Sequence, residues 1–358
     1  MSGSEIWILG ATGRSGRAIA ARVAGRGAPV ALVGRDAERL QEVAAGTGDG
    51  TGGVRSVVAG DVAAMAERIR SQHPAVVVNT VGPFAATAVP VARACLAGGS
   101  HYLDLANDVA SAGAVLHLHD EAVAAGRTVV TGAGFGIVAA EAAVTALCRD
   151  RPVPAAVRTD TVPSLASDGG RVGEALAASL IDALPDGGRR YRDGRLVRTR
   201  LGADAAEVAL PDGDRVTTVG APFGDLVAAW RASGAPDVVA ATSELPSSPP
   251  ARVALPLAGA VLSIGPLRRV ARRRFAEVSL PARDRPREHS WARATGRWDD
   301  GTAREQWLRL GDASEFTSTA AAVVATRLAA GRARPGADTP VAALGLDVAT
   351  EAGGTLLT

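Results

Sequence analysis

The residues best placed to do chemistry lie near the amino terminus, in the run Gly-Ala-Thr-Gly-Arg-Ser-Gly at positions 10–16. Its glycines recur every third residue, directly after the apolar run 5–10 and before a helical pattern that begins near Arg14. In that context a glycine-rich turn cradles a dinucleotide. One glycine permits the tight turn, one lets backbone N–H groups approach a pyrophosphate, and one lets helix and strand pack closely. Gly10, Thr12, Gly13, Arg14, Ser15 and Gly16 are the expected phosphate-binding set, with a purely structural turn as the alternative.

The second apolar run, 29–34, ends in Gly34 and is followed by Arg35. A free ribose 2′-hydroxyl would require an acidic side chain there. Glycine instead leaves room and arginine offers a guanidinium for a 2′-phosphate, which favours NADP over NAD. Arg14 can add a second cationic contact or simply be exposed. Asp61, after the third strand, can accept from an adenine amino group or cap the next helix. Asn79, Gly82 and Pro83 close the fourth strand, where a loop passes under the cofactor in such sheets. Phe135 and Gly136, after the sixth strand, suit an apolar wall for the nicotinamide or a plain helix start.

Hydride transfer often needs a proton donor too. The 39 basic side chains are all arginine, with no lysine anywhere in the chain. Arginine is effectively always protonated, so mechanisms that need a catalytic lysine, including Tyr-x-x-x-Lys chemistry, are excluded. Tyr102, at the carboxyl end of the fifth expected strand, and Asp108 are the catalytic candidates. The alternatives are a half-buried tyrosine between domains and, for Asp104 and Asp108, capping of the next helix. His101 points to the other face of its strand by alternation. His117 and His119, two apart, do not share a helical face, and no metal site is expected. Glu141 reads as exposed or salt-bridged. Asp168 and Arg171 open an expected helix over 172–184, where an anionic group could sit. Cys95 and Cys148 read as buried, inert thiols.

These groups need a scaffold, and the chain supplies one. Short β-branched runs alternate with helical patterns of 10–15 residues through position 150, the signature of a doubly wound parallel sheet covered on both faces. The expected strands are 5–10, 29–34, 54–58, 75–80, 101–105 and 127–132, and the last four intervening helices are 62–71, 85–98, 109–125 and 137–149. The expected organisation is a Rossmann α/β domain over 1–150 and an inserted α+β substrate or dimerisation domain over 151–310. A helix at 314–331 and a tail, within 311–358, would pack back on the first domain. Pro152 and Pro154 mark the linker, and the proline-rich stretch 243–256 reads as a loop.

Composition narrows the classes further. A net charge of +2 gives no general attraction to nucleic acid or membrane. No run of about 18 uncharged apolar residues suggests a transmembrane helix, and no export signal is legible, so a cytoplasmic protein is expected. Arg268, Arg269, Arg272, Arg273 and Arg274 place a basic face on one helix, suited to an acidic carrier domain or a CoA phosphate, or to solvent.

The runs GATGRSG, VGR, VVNTVGPF, ACLAGGSHYLDL and TGAGFGIVAAE, in that order and spacing, resemble the saccharopine dehydrogenase-like oxidoreductases, and within them the trans-acting enoyl reductases. Weaker echoes continue in SDGGRVGEALAAS, APFGDLVAAW and FTSTAAAVVATRLA. The resemblance implies a Rossmann domain with an α+β domain, bound NADPH, and reduction of a conjugated C=C in a polyketide-like or carrier-tethered acyl substrate. Imine or carbonyl reduction, and a non-redox NADP-binding isomerase, cyclase or sensor, are the other readings, and a homodimer is one possible assembly. The chain departs from the family pattern at Asn107 and Asp108, at Gly136 and Ala139, and at Gly170 and Arg171.

Overall fold

The computed structural model describes residues 5–47, 53–166, 169–171, 181, 187–246, 248–282 and 284–357. Two compact units divide the chain: Met1–Val138 with Ser314–Gly353, and Ala139–Ala313 with Gly354–Thr358.

In the first unit, strands β1 (Ile6–Leu9), β2 (Val30–Gly34), β3 (Val54–Val58), β4 (Val76–Asn79), β5 (His101–Asp104) and β6 (Thr128–Val130) alternate with helices. The helices are α1 (Arg14–Gly25), α2 (Ala37–Gly46), α3 (Val62–Gln72), α4 (Phe84–Ala97), α5 (Val109–Leu116) and α6 (His119–Ala124). A late strand, β17 (Gly336–Asp338), joins them in a seven-stranded sheet ordered β17-β6-β5-β4-β1-β2-β3, with every pairing parallel. This is the Rossmann α/β fold that the alternation implied. All residues of β1, β2 and β4 are buried, as strands covered on both faces must be. The strand order reverses between β1 and β4, which opens the crevice where ligands bind in such sheets.

Helix starts in this unit follow their capping residues. Asp36, Asp61 and Asp108 each accept a hydrogen bond from a backbone N–H in the first turn of α2, α3 and α5. The helix expected over 109–125 is two helices, α5 ending at Leu116, where the Gly113 carbonyl accepts from both the His117 backbone N–H and its ring Nδ1. After α11 (Ala313–Ala329), Arg327 pairs with both Asp347 and Glu351, tying together the segment that carries β17.

The second unit is a mixed sheet. Helix α7 (Phe135–Cys148) leads into it. Its main strands are β7 (Ala156–Val162), β9 (Gly188–Arg192), β10 (Arg195–Thr199), β13 (Asp237–Thr242), β15 (Ser290–Arg297), β16 (Ala303–Leu310) and β18 (Thr355–Leu357). They lie in the order β10-β9-β13-β7-β15-β16-β18, and the hairpin of β11 (Ala206–Ala209) and β12 (Arg215–Gly220) attaches at β13. A two-stranded pair, β8 (Gly170–Arg171) and β14 (Ser279–Leu280), stands apart. Central β7 carries Asp160, fully buried between Arg158 and Arg293 and accepting also from Thr218. Paired on both sides, that charge is satisfied. Helices α8 (Asp225–Ser233), α9 (Pro249–Leu262) and α10 (Gly265–Glu277) complete the unit.

One expectation fails here. The stretch read as a loop to residue 256 becomes helical at Pro249, because Pro249 and Pro250 occupy the first turn, where a missing N–H costs nothing and a fixed φ suits the helix. Arg171 lies in β8, and the helix expected over 172–184, like Asp168, falls outside the described residues apart from Ile181. Among the described residues no helix is long and apolar enough to cross a membrane.

Two histidines accept from the last two strands at one end of the first sheet, β6 and β17: His101 Nδ1 takes the Thr128 N–H at 3.0 Å and His119 Nδ1 takes the Ala337 N–H at 3.2 Å. Burial, together with the charge of Arg127, holds the His101 ring below its ordinary 6.5. The folded state thus prefers neutral His101. The stability it contributes is present above the unfolded value and is lost as pH falls through and below it. Urea midpoints measured at about pH 7.5 and about pH 5.5 should fall more for the native protein than for His101→Asn, whose Oδ1 can take the same N–H without titrating. Equal falls would remove His101 from the acid sensitivity.

Candidate functional site

The glycine turn sits at the crevice. Gly10 has φ +74°, and a Cβ there would meet the Thr80 hydroxyl at 2.8 Å, at the end of the adjacent β4. A Cβ on Gly16 would stand 2.4 Å from the Gly10 carbonyl oxygen, so only glycine lets α1 begin this close to β1. The N–H groups of Gly10 and Ala11 are anchored on the Val33 carbonyl of β2. Gly13 is the residue before α1, which has no acidic residue in its first turn and lacks the side-chain cap that aspartates give α2, α3 and α5. Gly13, Arg14 and Ser15 are exposed, and the Thr12 carbonyl accepts from the Arg17 guanidinium. A helix start without a side-chain cap, at exposed Arg14 and Ser15, suits a pyrophosphate.

The β2 tip completes that half of the site. Gly34 is buried, a Cβ on it would press on the Leu40 side chain at 3.3 Å, and glycine places no carboxylate there. The next side chain, Arg35, is exposed and has no hydrogen-bond or ion-pair partner among the described residues, because Asp36 caps α2 and pairs with Arg39. Arg14 is likewise exposed and unpaired among the described residues. Glycine turn, bare helix and Arg35 together fit an NADP phosphate set.

The carboxyl edge of β4 and β5 differs from expectation. Tyr102 is fully buried in the core, not half-buried, and its hydroxyl donates to Asp104 Oδ2 at 2.9 Å while accepting from Asn79 Nδ2 at 3.2 Å. Burial first, then the Asp104 charge, pushes its phenol well above its usual range. A phenol so placed is a poor proton donor to a ligand. Asn79 is also fully buried; its Oδ1 accepts from the Val81 N–H, so it shapes the loop from within. Asp104 caps no helix. Its carboxylate accepts from Tyr102, Thr131 and the N–H groups of Ala106 and Gly132, joining β5 to the chain after β6. Burial nevertheless raises its pKa, the four donors opposing that shift.

The remaining candidates spread along the same edge. Asp61 and Asp108 are both helix caps, accepting from Ala64 N at 2.8 Å and Ser111 N at 2.7 Å. The Gly82–Pro83 peptide is cis, and exposed Pro83 precedes α4. Phe135 is largely buried, its N–H on the Thr317 hydroxyl and its ring edge-on to Phe316. It is therefore held in place by the carboxy-terminal segment. A Cβ on the adjacent Gly136 would meet the Asn107 carboxamide at 3.0 Å, so Asn107 occupies space that this glycine leaves.

One titratable group escaped the sequence reading. Asp225, the first residue of α8 in the second unit, is buried and pushed up to about 7 by burial, with Glu244 and Asp160 adding negative charge. Such a carboxyl exchanges a proton near neutrality. The run APFGDLVAAW, an echo of the family, was its one visible signal. Cys148 is pushed up to about 11 by burial, and Cys95 is raised further. Among the described residues no group of His, Cys, Asp and Glu could hold a metal ion.

Among known proteins, residues 6–130 match the family model for the saccharopine dehydrogenase NADP binding domain. A Mycobacterium tuberculosis protein assigned as a trans-acting enoyl reductase is 28% identical over 218 residues, 58% of this chain and 52% of its own. A trans-acting enoyl reductase of Mycobacterium leprae is 31% identical over 148 residues, 40% of this chain and 35% of its own. The chain thus spans about half or less of the length of these curated relatives. The L-sorbose reductase of Gluconobacter frateurii, solved with NADPH and L-sorbose, aligns with a TM-score of 0.31 at 21% identity over 37% of this chain and 69% of its own.

Tyr102→Phe should lower stability by about 1–3 kcal/mol, since it removes one donor from Asp104 and one acceptor from Asn79 in a buried network. NADPH affinity should hold. Denaturant unfolding alongside a fluorescence titration with NADPH separates the two effects. Unchanged stability with abolished turnover would return Tyr102 to the role of proton donor.

Proposed function

With residues 6–130 matching an NADP-binding domain of the saccharopine dehydrogenase type, we propose that this chain is an NADPH-dependent reductase. Its substrate is a conjugated C=C of an acyl or polyketide-like compound, carried on a thioester. The observation that carries the cofactor half is the bare start of α1 beside an unpaired Arg35. The likeness to trans-acting enoyl reductases supports the acceptor half.

In this reading the uncapped first turn of α1 holds the pyrophosphate, and Arg35, assisted by Arg14, holds the 2′-phosphate. The cofactor supplies the hydride. Phe135 and the loop through Gly82 and Pro83 lie at the sheet edge where the nicotinamide half would be screened from water. Asp61 and Asp108 serve the site by fixing the starts of α3 and α5. Buried Tyr102 leaves the proton to another group or to solvent, which also sustains a second reading: a protein that binds NADP without turning it over.

Two measurements test the proposal. Arg35→Ala should weaken NADPH binding about 10- to 100-fold, the worth of a charge-assisted phosphate contact, and leave NADH binding unchanged. Equal losses for both would mean that Arg35 does not read the 2′-phosphate. Mixing the protein with NADPH and an enoyl thioester should consume NADPH and yield the saturated product. Tight NADPH binding with no consumption on enoyl, imine or carbonyl acceptors would establish the second reading instead.

A further inference from the structure

Helices α9 and α10, joined only by Ser263 and Ile264, leave an unusual surface uncovered. No residue of α10 is buried. Leu257 and Val261 on α9, Ile264 in the connection, and Leu267 and Val270 on α10 are all exposed, Leu257 by 65% and Val270 by 57%. Leu257 and Val261 are four apart on α9, and Leu267 and Val270 three apart on α10, so each pair shares a helix face. An exposed aliphatic residue on its own requires no explanation, whereas several so close along the chain mark a surface that something covers.

The same segment concentrates the charge. Residues 249–277 carry six arginines against the single Glu277, a net +5, although the whole chain has +2. All other residues together are therefore net negative, at −3. On α10, Arg269, Arg273 and Arg274 are exposed and have no ion-pair or hydrogen-bond partner among the described residues. The partner of this surface must be both anionic and able to receive aliphatic side chains.

The position of Arg274 decides between kinds of partner. It lies seven residues from Leu267 and four from Val270, on the aliphatic face itself. In a dry protein interface a guanidinium there would need a matching buried carboxylate. At a bilayer surface the stem lies with the aliphatics while the head reaches lipid phosphates. We propose that α9 and α10 form a membrane-surface contact for anionic phospholipid. Leu257, Val261, Ile264, Leu267 and Val270 enter the headgroup–acyl boundary, and Arg269, Arg273 and Arg274 hold the phosphates. The contact lies on the membrane and does not span it. It is independent of the reductase reading.

Flotation of the full chain with vesicles tests this. Binding is expected to vesicles of phosphatidylcholine with about 30 mol% phosphatidylglycerol and not to phosphatidylcholine alone, and to weaken from about 0.1 M to about 0.5 M salt. Each of Arg269→Gln, Arg273→Gln and Arg274→Gln should weaken it about fivefold. Leu267→Ser with Val270→Ser should weaken it at least as much at fixed charge. NADPH binding checks that each variant is folded. Absence of binding to either vesicle overturns the proposal. So does binding that the serine pair leaves intact, which would show charge attraction alone, without entry of the aliphatic side chains.

Discussion

The close approach of α1 to β1 is the constraint on which the first unit depends. A methyl group at Gly16 would overlap the Gly10 carbonyl, and one at Gly10 would overlap Thr80 across the strand-order reversal. Because neither exists, the axis of α1 starts directly over the crevice with its first N–H groups uncapped. Elsewhere in the unit aspartates occupy that position, at Asp36, Asp61 and Asp108. The same electrostatic need, an anion at a helix start, is met by an aspartate in α2, α3 and α5 and left for a ligand at α1. Arg35 then extends the anion site to the β2 tip, where Gly34 stands in place of the acidic side chain an NAD site would use.

How much of this was legible in the sequence depends on what kind of signal each residue leaves. Strand–helix alternation up to Cys148 is dense and redundant, and the parallel order follows from it almost without loss. The glycine turn was legible because sterics allow few alternatives at 10 and 16. Tyr102 and Asn79 were not, for a physical reason. A strand buried on both faces loses the alternation that would say which side chains look outward, so a polar residue near its end reads as a ligand contact or as a core group equally well. Here both belong to the core, drawn in by Asp104, whose four donors come from residues as far apart as Tyr102 and Gly132. Asp61 and Asp108 were ambiguous differently, since a cap and a ligand contact require the same short carboxylate at the same place.

The second unit was less legible, and its errors have separate origins. Proline was read as a breaker over 243–256, yet Pro249 and Pro250 fall in the first turn, where there is no bond to remove, and the helix runs on through Pro256 at the cost of one bond. Buried Asp160 sits in β7 with no local motif, and Asp225 in α8 within a run that says nothing of its burial, because what defines them is residues far along the chain, Arg293 for the one and Glu244 and Asp160 for the other. Such groups emerge only once the sheet is assembled. The sequence contains both aspartates in plain view, but nothing in their neighbours distinguishes a paired, charged carboxylate from one whose burial lifts it to about 7.

Charge shows the same dependence on assembly. A net +2 averages a strongly basic α9–α10 segment with an acidic remainder, and a surface field is set by local density, since charges beyond about 8–10 Å are screened. The absence of lysine strengthens the point, because every cation in that segment is a guanidinium, held protonated at any working pH and able to bind two phosphate oxygens at once. An average over the chain therefore excludes a class of partner that one pair of helices can still recruit. The discriminating quantity is the placement of charge relative to exposed aliphatic side chains, and at Arg274 the two coincide on one face.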